Sequence, residues 1–355
     1  MRIAQIAPLY EAVPPKLYGG TERVVSYLTE ALVELGHDVT LFASGDSNTS
    51  ATLERAWPRA LRLDPSIRDR MAPHMVMLEK VRQVASEFDV LHFHLDYLPF
   101  SLFADIETPF VTTLHGRLDL PELQPVFNAF SDAAVVSISD SQRAPLPQAC
   151  WLDTVHHGLP RHLLTPQAHC EPEYLAFLGR ICPEKRVDTA IKIAAMSGLP
   201  LKIAAKVDKV DEDYFKAEIE PLLSQAHVEF VGEIDESRKP EFLSRAKALL
   251  FPIDWCEPFG LVMIEAMACG TPVIAFNRGS VPEVVDHAVT GFIVEDAHGA
   301  VAALERLDEL ARDEIRAQFE RRFTAQTMAR QYVDRYSTLI ERRTRRSAFP
   351  TAVAG

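Results

Sequence analysis

Paired cysteines are absent from this 355-residue sequence. No C-x-x-C spacing links Cys150, Cys170, Cys182, Cys256 and Cys269, which leaves zinc ribbons and thioredoxin-like redox chemistry without support. Reduced thiols in a cytosolic protein are the expectation instead. Long apolar runs are missing as well, so no segment is suited to cross a bilayer. Met1–Ile6 runs straight into Pro8 and is too short for a signal-peptide core, which points to the cytoplasm. Positive charge is in deficit: 37 Lys and Arg face 50 Asp and Glu, a formal net charge of −13. Nucleic acid is therefore not an expected partner, although one local basic site could still hold a diphosphate. Finally, no G-x-G-x-x-G joins a strand directly to a helix, which removes the main support for a nicotinamide-dependent dehydrogenase.

What is present is a globular composition, 47% hydrophobic and 25% charged, on a chain long enough for two domains. The first half alternates strands and helices. Strands are expected at Arg2–Ala7, Val39–Ala43, Val90–His94, Phe110–Leu114, Ala134–Ile138 and Asp153–His156. Helices are expected at Glu22–Leu35, with Thr21 as N-cap and Gly36 as stop, and at Val76–Glu87. Three prolines between Leu159 and Pro172 suggest a linker. A second set follows, with strands at Tyr174–Leu178, Leu201–Ala205, Val228–Val231, Ala248–Phe251, Pro272–Ala275 and Gly291–Val294. Its helices are Val187–Met196, Asp213–Gln225, Pro240–Ala246, Leu261–Ala268 and Val281–Val285. Alternation of this kind predicts two doubly wound α/β domains with parallel sheets, facing each other across a cleft.

Two segments carry chemistry. In Glu257-Pro258-Phe259-Gly260-Leu261 … Glu265 … Gly270, a broken loop leads into a helix on which Glu265 has Leu261, Val262, Ala268 and Cys269 as its neighbours three and four positions away. A carboxylate among apolar neighbours needs donors, either ligand hydroxyls or a structural partner. The helix start at Phe259–Leu261 suits a phosphate, and Gly260 would let a ligand approach the backbone closely. In the other segment a strand is expected to end at Leu178, so that Gly179-Arg180 opens a loop carrying Lys185. Arg180 and Lys185 at a strand's carboxyl edge could clamp a diphosphate, the first as a fork and the second as a point charge. His92 and His94 alternate on one strand before Asp96, but one strand cannot complete a zinc site and no third ligand follows by spacing, so no metal is expected. The Arg-rich stretch ending at Arg346 has acids interleaved and reads as a solvated helix face, with a membrane surface as the weaker alternative.

The segment L-G-R-I-C-P-E-K-R at Leu178–Arg186, followed about seventy residues later by E-P-F-G-L-V-M-I-E-A-M-A-C-G-T-P, resembles the retaining glycosyltransferases of family 4 and their E-x7-E motif. Weaker likenesses are G-G-T-E-R-V at Gly19–Val24, D-V-L-H-F-H at Asp89–His94, T-L-H-G at Thr113–Gly116 and S-I-S-D-S-Q-R at Ser137–Arg143. The resemblance implies a GT-B fold with an N-terminal Rossmann-like acceptor domain over residues 1–165 and a C-terminal Rossmann-like nucleotide-sugar domain over residues 172–325. A helix over residues 326–346 would pack back toward the first domain. It implies transfer of a sugar from a nucleoside-diphosphate sugar, UDP foremost, to an acceptor hydroxyl of unknown identity, with retention of anomeric configuration and no further cofactor. Arg180 and Lys185 would hold the diphosphate, Glu265 the ribose and Glu257 the transferred sugar. His115 would meet that sugar from the N-terminal domain, the Gly19-Gly20 loop would close over the phosphates, and backbone near Val231-Gly232 would read the base. The sequence departs from the family at His157-Gly158-Leu159-Pro160 and at Asn277-Arg278-Gly279-Ser280, both of which bear on sugar and acceptor preference. A GT-B phosphorylase and a non-catalytic sugar-nucleotide-binding regulator are the competing readings.

Overall fold

The computed structural model describes residues 1–16, 19–62, 64–167 and 170–348, with side chains described through Arg343. From 349 onward the tail expected over Ser347–Gly355 lies outside the described residues, and the side chains of Arg345 and Arg346 do too. The chain forms two compact units. One comprises Met1–Gly158 with the helix that starts at Ala325, and the other comprises Leu159–Thr324.

The first unit is built on a seven-stranded parallel sheet. Its strands are β1 (Arg2–Ile6), β2 (Asp38–Ser44), β3 (Thr52–Trp57), β4 (Val90–Phe93), β5 (Phe110–Thr113), β6 (Ala134–Ser137) and β7 (Cys150–Thr154), in the spatial order β3-β2-β1-β4-β5-β6-β7. β4 is buried along its whole length, as a central strand covered on both faces must be. The helices are α1 (Gly20–Glu34), α2 (Met71–Val84), α3 (Phe100–Phe103), α4 (Leu123–Ala129) and α5 (Asp140–Arg143). α1 starts earlier than Thr21 would allow as an N-cap: Gly19 is the N-cap and Thr21 sits inside the first turn. Gly36, at φ +83, ends the helix as expected of a left-handed C-terminal residue. β3 was not legible because it is an edge strand whose Glu54 and Arg55 face solvent, so it carries no apolar run. β7 begins at Cys150 and ends at Thr154, earlier than the expected Asp153–His156.

The second unit holds a six-stranded parallel sheet of β8 (Tyr174–Ile181), β9 (Leu201–Val207), β10 (Val228–Gly232), β11 (Ala246–Phe251), β12 (Val273–Phe276) and β13 (Gly291–Val294), in the order β10-β9-β8-β11-β12-β13. Its helices are α6 (Val187–Ser197), α7 (Glu212–Tyr214), α8 (Lys239–Ser244), α9 (Leu261–Ala268), α10 (Val281–Val284), α11 (Ala297–Leu304) and α12 (Arg312–Arg322). Strand β8 outruns its expected end at Leu178: Gly179, Arg180 and Ile181 continue the register against Ala205, Lys206 and Val207. The single helix expected over Asp213–Gln225 is instead α7, a π turn at Phe215–Ile219 and a 3-10 turn at Glu220–Ser224. Pro221 is the physical cause, since it has no N–H to donate back to residue 217 and its ring crowds that carbonyl.

The last helix, α13 (Ala325–Ala348), returns to the first unit. It packs on α1, where Gln326 donates to Glu34 at 2.8 Å, and it buries Tyr332 and Tyr336 completely. Arg343 near its end donates to the Ile106 carbonyl at 2.9 Å. Among the described residues no helix is long and apolar enough to cross a membrane.

Candidate active site

In the second unit β8 and β11 are adjacent central strands, and the loops leaving their carboxyl ends are tied together. The Asp254 amide donates to the Glu184 carbonyl at 2.9 Å, and Arg186 pairs with Asp254 at 3.2 Å and with Asp188 at 2.9 Å. Held between these ties, the Lys185 ammonium contacts the Glu257 carboxylate directly. It also lies 5.3 Å from the Phe251 ring centre and 5.6 Å from that of Trp255, a cation held over two aromatic faces. Trp255 Nε1 donates to the same Glu257 carboxylate at 3.0 Å. Lys185 and Glu257 are thus brought together by the fold, with side chains 21% and 12% exposed.

The backbone under Glu257 is fixed from β12's loop. The Ser280 amide donates to the Glu257 carbonyl at 3.0 Å and its hydroxyl to the Phe259 carbonyl at 2.8 Å. Gly279, at φ +54, leaves no room for a side chain: a Cβ there would stand 2.4 Å from the Glu257 nitrogen. The serine that departs from the family pattern therefore props the Glu257 loop. Gly260 has its own structural reason, since it caps α9 at φ +78 and a Cβ would meet Met263 and Phe251 at 2.9 and 3.1 Å. Close approach of a ligand is not needed to explain it. Leu261 opens α9, whose first-turn amides have no upstream carbonyl within the helix.

Glu265 is 6% exposed, and the donor its apolar setting demands is Lys239 at the start of α8, 2.7 Å away. Nothing in the spacing announces this partner, because it comes from another helix. Arg180 belongs to β8 and not to a loop beyond it, and it faces Asp208 at 3.7 Å and Asp211 at 3.5 Å. Arg180 and Lys185 therefore occupy separate ion pairs here. Val231 stands on the edge strand β10, three places from β11, where Gly232 takes φ +73 and the register with β9 shifts. Lys239, Asp208, Asp211 and Trp255 were missed by sequence reasoning. Only Trp255, two residues from Glu257, carried a local signal.

In the first unit His115 follows β5 at the carboxyl edge of the sheet. Its Nε2 lies 2.8 Å from His94 Nδ1, its ring stacks on His157 at 5.3 Å, and burial pushes its pKa down to about 3. His92 and His94 do share a strand face, with ring centres 4.1 Å apart, and both are held neutral by burial. Their nitrogens are committed to Gln5, Thr113, Tyr336 and His115. Among the described residues no three His, Cys, Asp or Glu are arranged to hold a metal ion.

The glycine pair divides its roles. A Cβ on Gly19 would meet Pro15 at 2.9 Å and Glu11 at 3.3 Å, whereas one on Gly20 would meet nothing within 4 Å. Behind them Glu11 pairs with Arg62 at 3.1 Å, and burial raises the pKa of the neighbouring Glu22 carboxyl. This contrast yields a prediction. Gly20→Ala leaves the melting temperature within a degree or two of the parent, by about 0.5 kcal/mol or less, yet slows turnover if the loop closes on a ligand. Gly279→Ala costs roughly 2 kcal/mol or more because both its φ and its neighbours oppose a side chain. Thermal melts and initial rates of the two variants check this, and a parent-like rate in Gly20→Ala would remove that glycine from the site.

Comparison with known proteins finds relatives over both units. The family model described as Glycosyl transferases group 1 matches residues 166–328, and that described as Glycosyltransferase Family 4 matches residues 18–150. A phosphatidyl-myo-inositol mannosyltransferase from Mycolicibacterium smegmatis is 27% identical over 354 residues, covering 89% of this chain and 86% of its own. Among solved structures, the sucrose-phosphate synthase of Thermosynechococcus elongatus superposes with a TM-score of 0.77 at 22% identity, covering 96% of this chain and all (100%) of that one. Anabaena HepE, solved in complex with UDP and glucose, gives a TM-score of 0.72 at 20% identity with the same coverage, 96% and 100%. The two parallel-sheet units are those of the GT-B fold.

Proposed function

This chain belongs to the family 4 glycosyltransferases, and on that premise we propose that it moves a hexosyl group from a nucleoside-diphosphate sugar to an acceptor hydroxyl with retention of anomeric configuration. The observation that carries the reading is the Lys185–Glu257 pair at the carboxyl ends of β8 and β11, with a second carboxylate, the buried Glu265, on the helix that follows. Carboxyl-end loops are where doubly wound sheets bind ligands. An ammonium there can neutralise the charge that grows on a departing diphosphate.

In this reading Arg180 and Lys185 hold the diphosphate, aided by the amides at Phe259–Leu261. Glu265 accepts from the ribose hydroxyls and Glu257 from the hydroxyls of the transferred sugar. Backbone at Val231-Gly232 reads the base, Gly19-Gly20 closes over the phosphates, and His115 meets the sugar. The first unit takes the acceptor and the second the donor. UDP is the favoured carrier, a choice supported by the UDP complex of a protein with the same fold. Because side chains and a helix start supply positive charge, turnover is expected to continue in EDTA.

The test is direct. The protein is incubated with UDP-, GDP- and ADP-sugars and a panel of hydroxyl acceptors, with and without EDTA. Free nucleoside diphosphate and the anomeric configuration of the product are then read by NMR. Release of one nucleoside diphosphate with an α-product from an α-donor is expected. An inverted product, release of inorganic phosphate from a sugar phosphate, or activity lost in EDTA and restored by Mg²⁺ would each contradict the corresponding part.

A further inference from the structure

The buried polar chain behind His115 has a polarity that can be worked out from donor and acceptor counts. Gln5 of β1 lies between two sides. On one, its amide faces His94 Nε2, 2.9 Å from Oε1. On the other it meets two atoms, the Tyr336 hydroxyl at 3.1 Å and His92 Nδ1 at 3.3 Å from Nε2. A carboxamide nitrogen carries two hydrogens and needs two acceptors when buried. Gln5 is fully buried, and the side facing Tyr336 and His92 offers it the Tyr336 oxygen and a share of the single His92 Nδ1 lone pair, which also takes the Tyr336 hydroxyl hydrogen. The flipped amide would face only one acceptor, His94 Nε2, and would run the chain the other way to put a hydrogen on His115 Nδ1, which has no acceptor, so the nitrogen points toward Tyr336 and the oxygen accepts from His94.

The consequences propagate ring by ring. His94 donates from Nε2, and being neutral it has a bare Nδ1, which can only accept. The atom 2.8 Å from that nitrogen is His115 Nε2, so His115 must carry its proton there. The other half of the chain agrees. The Tyr336 hydroxyl donates to His92 Nδ1 at 2.7 Å, and His92 Nε2 donates to the Thr113 hydroxyl at 2.7 Å. Thr113 in turn meets the Tyr332 hydroxyl at 2.8 Å. What remains is His115 Nδ1, a buried nitrogen that has no hydrogen-bond partner among the described residues. Its ring faces His157 in a stack only 21° from parallel, which leaves the in-plane lone pair uncommitted.

We infer that Gln5 and Tyr336 are positioning residues that lock His115 as its Nε2–H tautomer, so that the histidine presents a hydrogen-bond acceptor at Nδ1 and selects a ligand group that donates. This rests on the proposed reading that His115 meets the transferred sugar, and it narrows that reading: the group met there is a free hydroxyl. An ether, a fluorine or a missing hydroxyl at that position leaves the nitrogen unanswered. Burial strengthens the selection, because with its pKa near 3 the ring stays neutral and keeps its lone pair at every working pH. It also assigns a task to the C-terminal helix α13, which reaches the site through Tyr336 without touching a substrate.

The experiment uses the full chain labelled with ¹⁵N-histidine, and NMR reads which nitrogen of each ring is protonated. His115→Gln identifies its signals. His115 is expected to show Nε2–H alone. Tyr336→Phe keeps the ring in place but removes one of the two acceptors facing Gln5, so a second His115 tautomer is expected to appear. Gln5→Met cuts the chain and is expected to do the same, with kcat lowered about tenfold and donor KM within twofold. Nδ1–H in the parent protein, or a Tyr336→Phe spectrum unchanged at His115, would overturn the inference. A separate arm compares donors fluorinated at each sugar hydroxyl in turn. One position is expected to lose tenfold or more in kcat/KM in the parent protein and little further in His115→Gln. If the tautomer is as inferred but no position behaves this way, the contact between His115 and the sugar is what fails, and the lock itself stands.

Discussion

Lys185→Ala lowers kcat on the order of a hundredfold while donor KM changes far less, because the ammonium acts on charge that develops only as the diphosphate leaves. The geometry makes the loss specific. Lys185 is held over Phe251 and Trp255 and against Glu257, so its position is set before any ligand arrives. Removing it deletes the cation and also releases Glu257 to its remaining donor, Trp255. Lys185→Arg restores charge but not a compact point donor, and recovers only part of the rate. Arg180→Ala is expected to cost a similar factor, with a different origin: Arg180 also pairs with Asp211, whose charge loses that partner, whereas Asp208 keeps Lys206 at 2.8 Å. Steady-state kinetics of the three variants at saturating donor, alongside thermal melts, provide the check. An unchanged kcat in both alanine variants would move the phosphate site elsewhere.

Glu265 and Lys239 form the second large effect, and here the structure changes what the substitution should do. The pair is 7% and 13% exposed, so taking away one partner leaves the other poorly compensated, Lys239 keeping only Glu236 at 3.9 Å. Glu265→Gln keeps an acceptor for Lys239 and should cost about 1–3 kcal/mol of stability. Glu265→Leu should cost about 3 kcal/mol by leaving the half-buried Lys239 ammonium with only the more distant Glu236, 3.9 Å away. Adding Lys239→Met to Glu265→Leu removes both charges and should restore most of that stability. Nucleotide affinity separates a structural carboxylate from a ribose ligand. If Glu265 receives ribose hydroxyls, the double variant melts near the parent temperature yet binds free UDP about five- to a hundredfold more weakly. Calorimetric titration measures this on protein shown to be folded. Parent-like affinity in the stabilised double variant would confine Glu265 to the fold. Glu257→Gln is the companion control, since it should spare free UDP and slow transfer from the intact donor.

The sequence by itself determined the class of fold, because apolar runs alternating with amphipathic helices fix which face of each element is buried. It determined the E-x7-E loop and helix, whose boundaries at Leu261–Ala268 are those observed. It also determined that Glu265 needs a donor, since Leu261, Val262, Ala268 and Cys269 surround it on the helix. Which donor was decided only by packing α8 beside α9, a contact that spacing along one helix cannot encode. Arg180 shows the same limit: the strand continues through it because β9 offers Ala205–Val207 as partners, a register fixed between strands and not within one. The histidines make the division clearest. Period-two alternation placed His92 of β4 and His94 just past its end on one face, but their partners Gln5 and Thr113 come from the neighbouring strands β1 and β5, and Tyr336 from a helix 244 residues beyond His92. Local periodicity records burial, which each segment expresses alone. Hydrogen-bond partnership belongs to pairs of segments, and the sheet order that makes β4 the neighbour of β1 and β5 exists only in the folded chain.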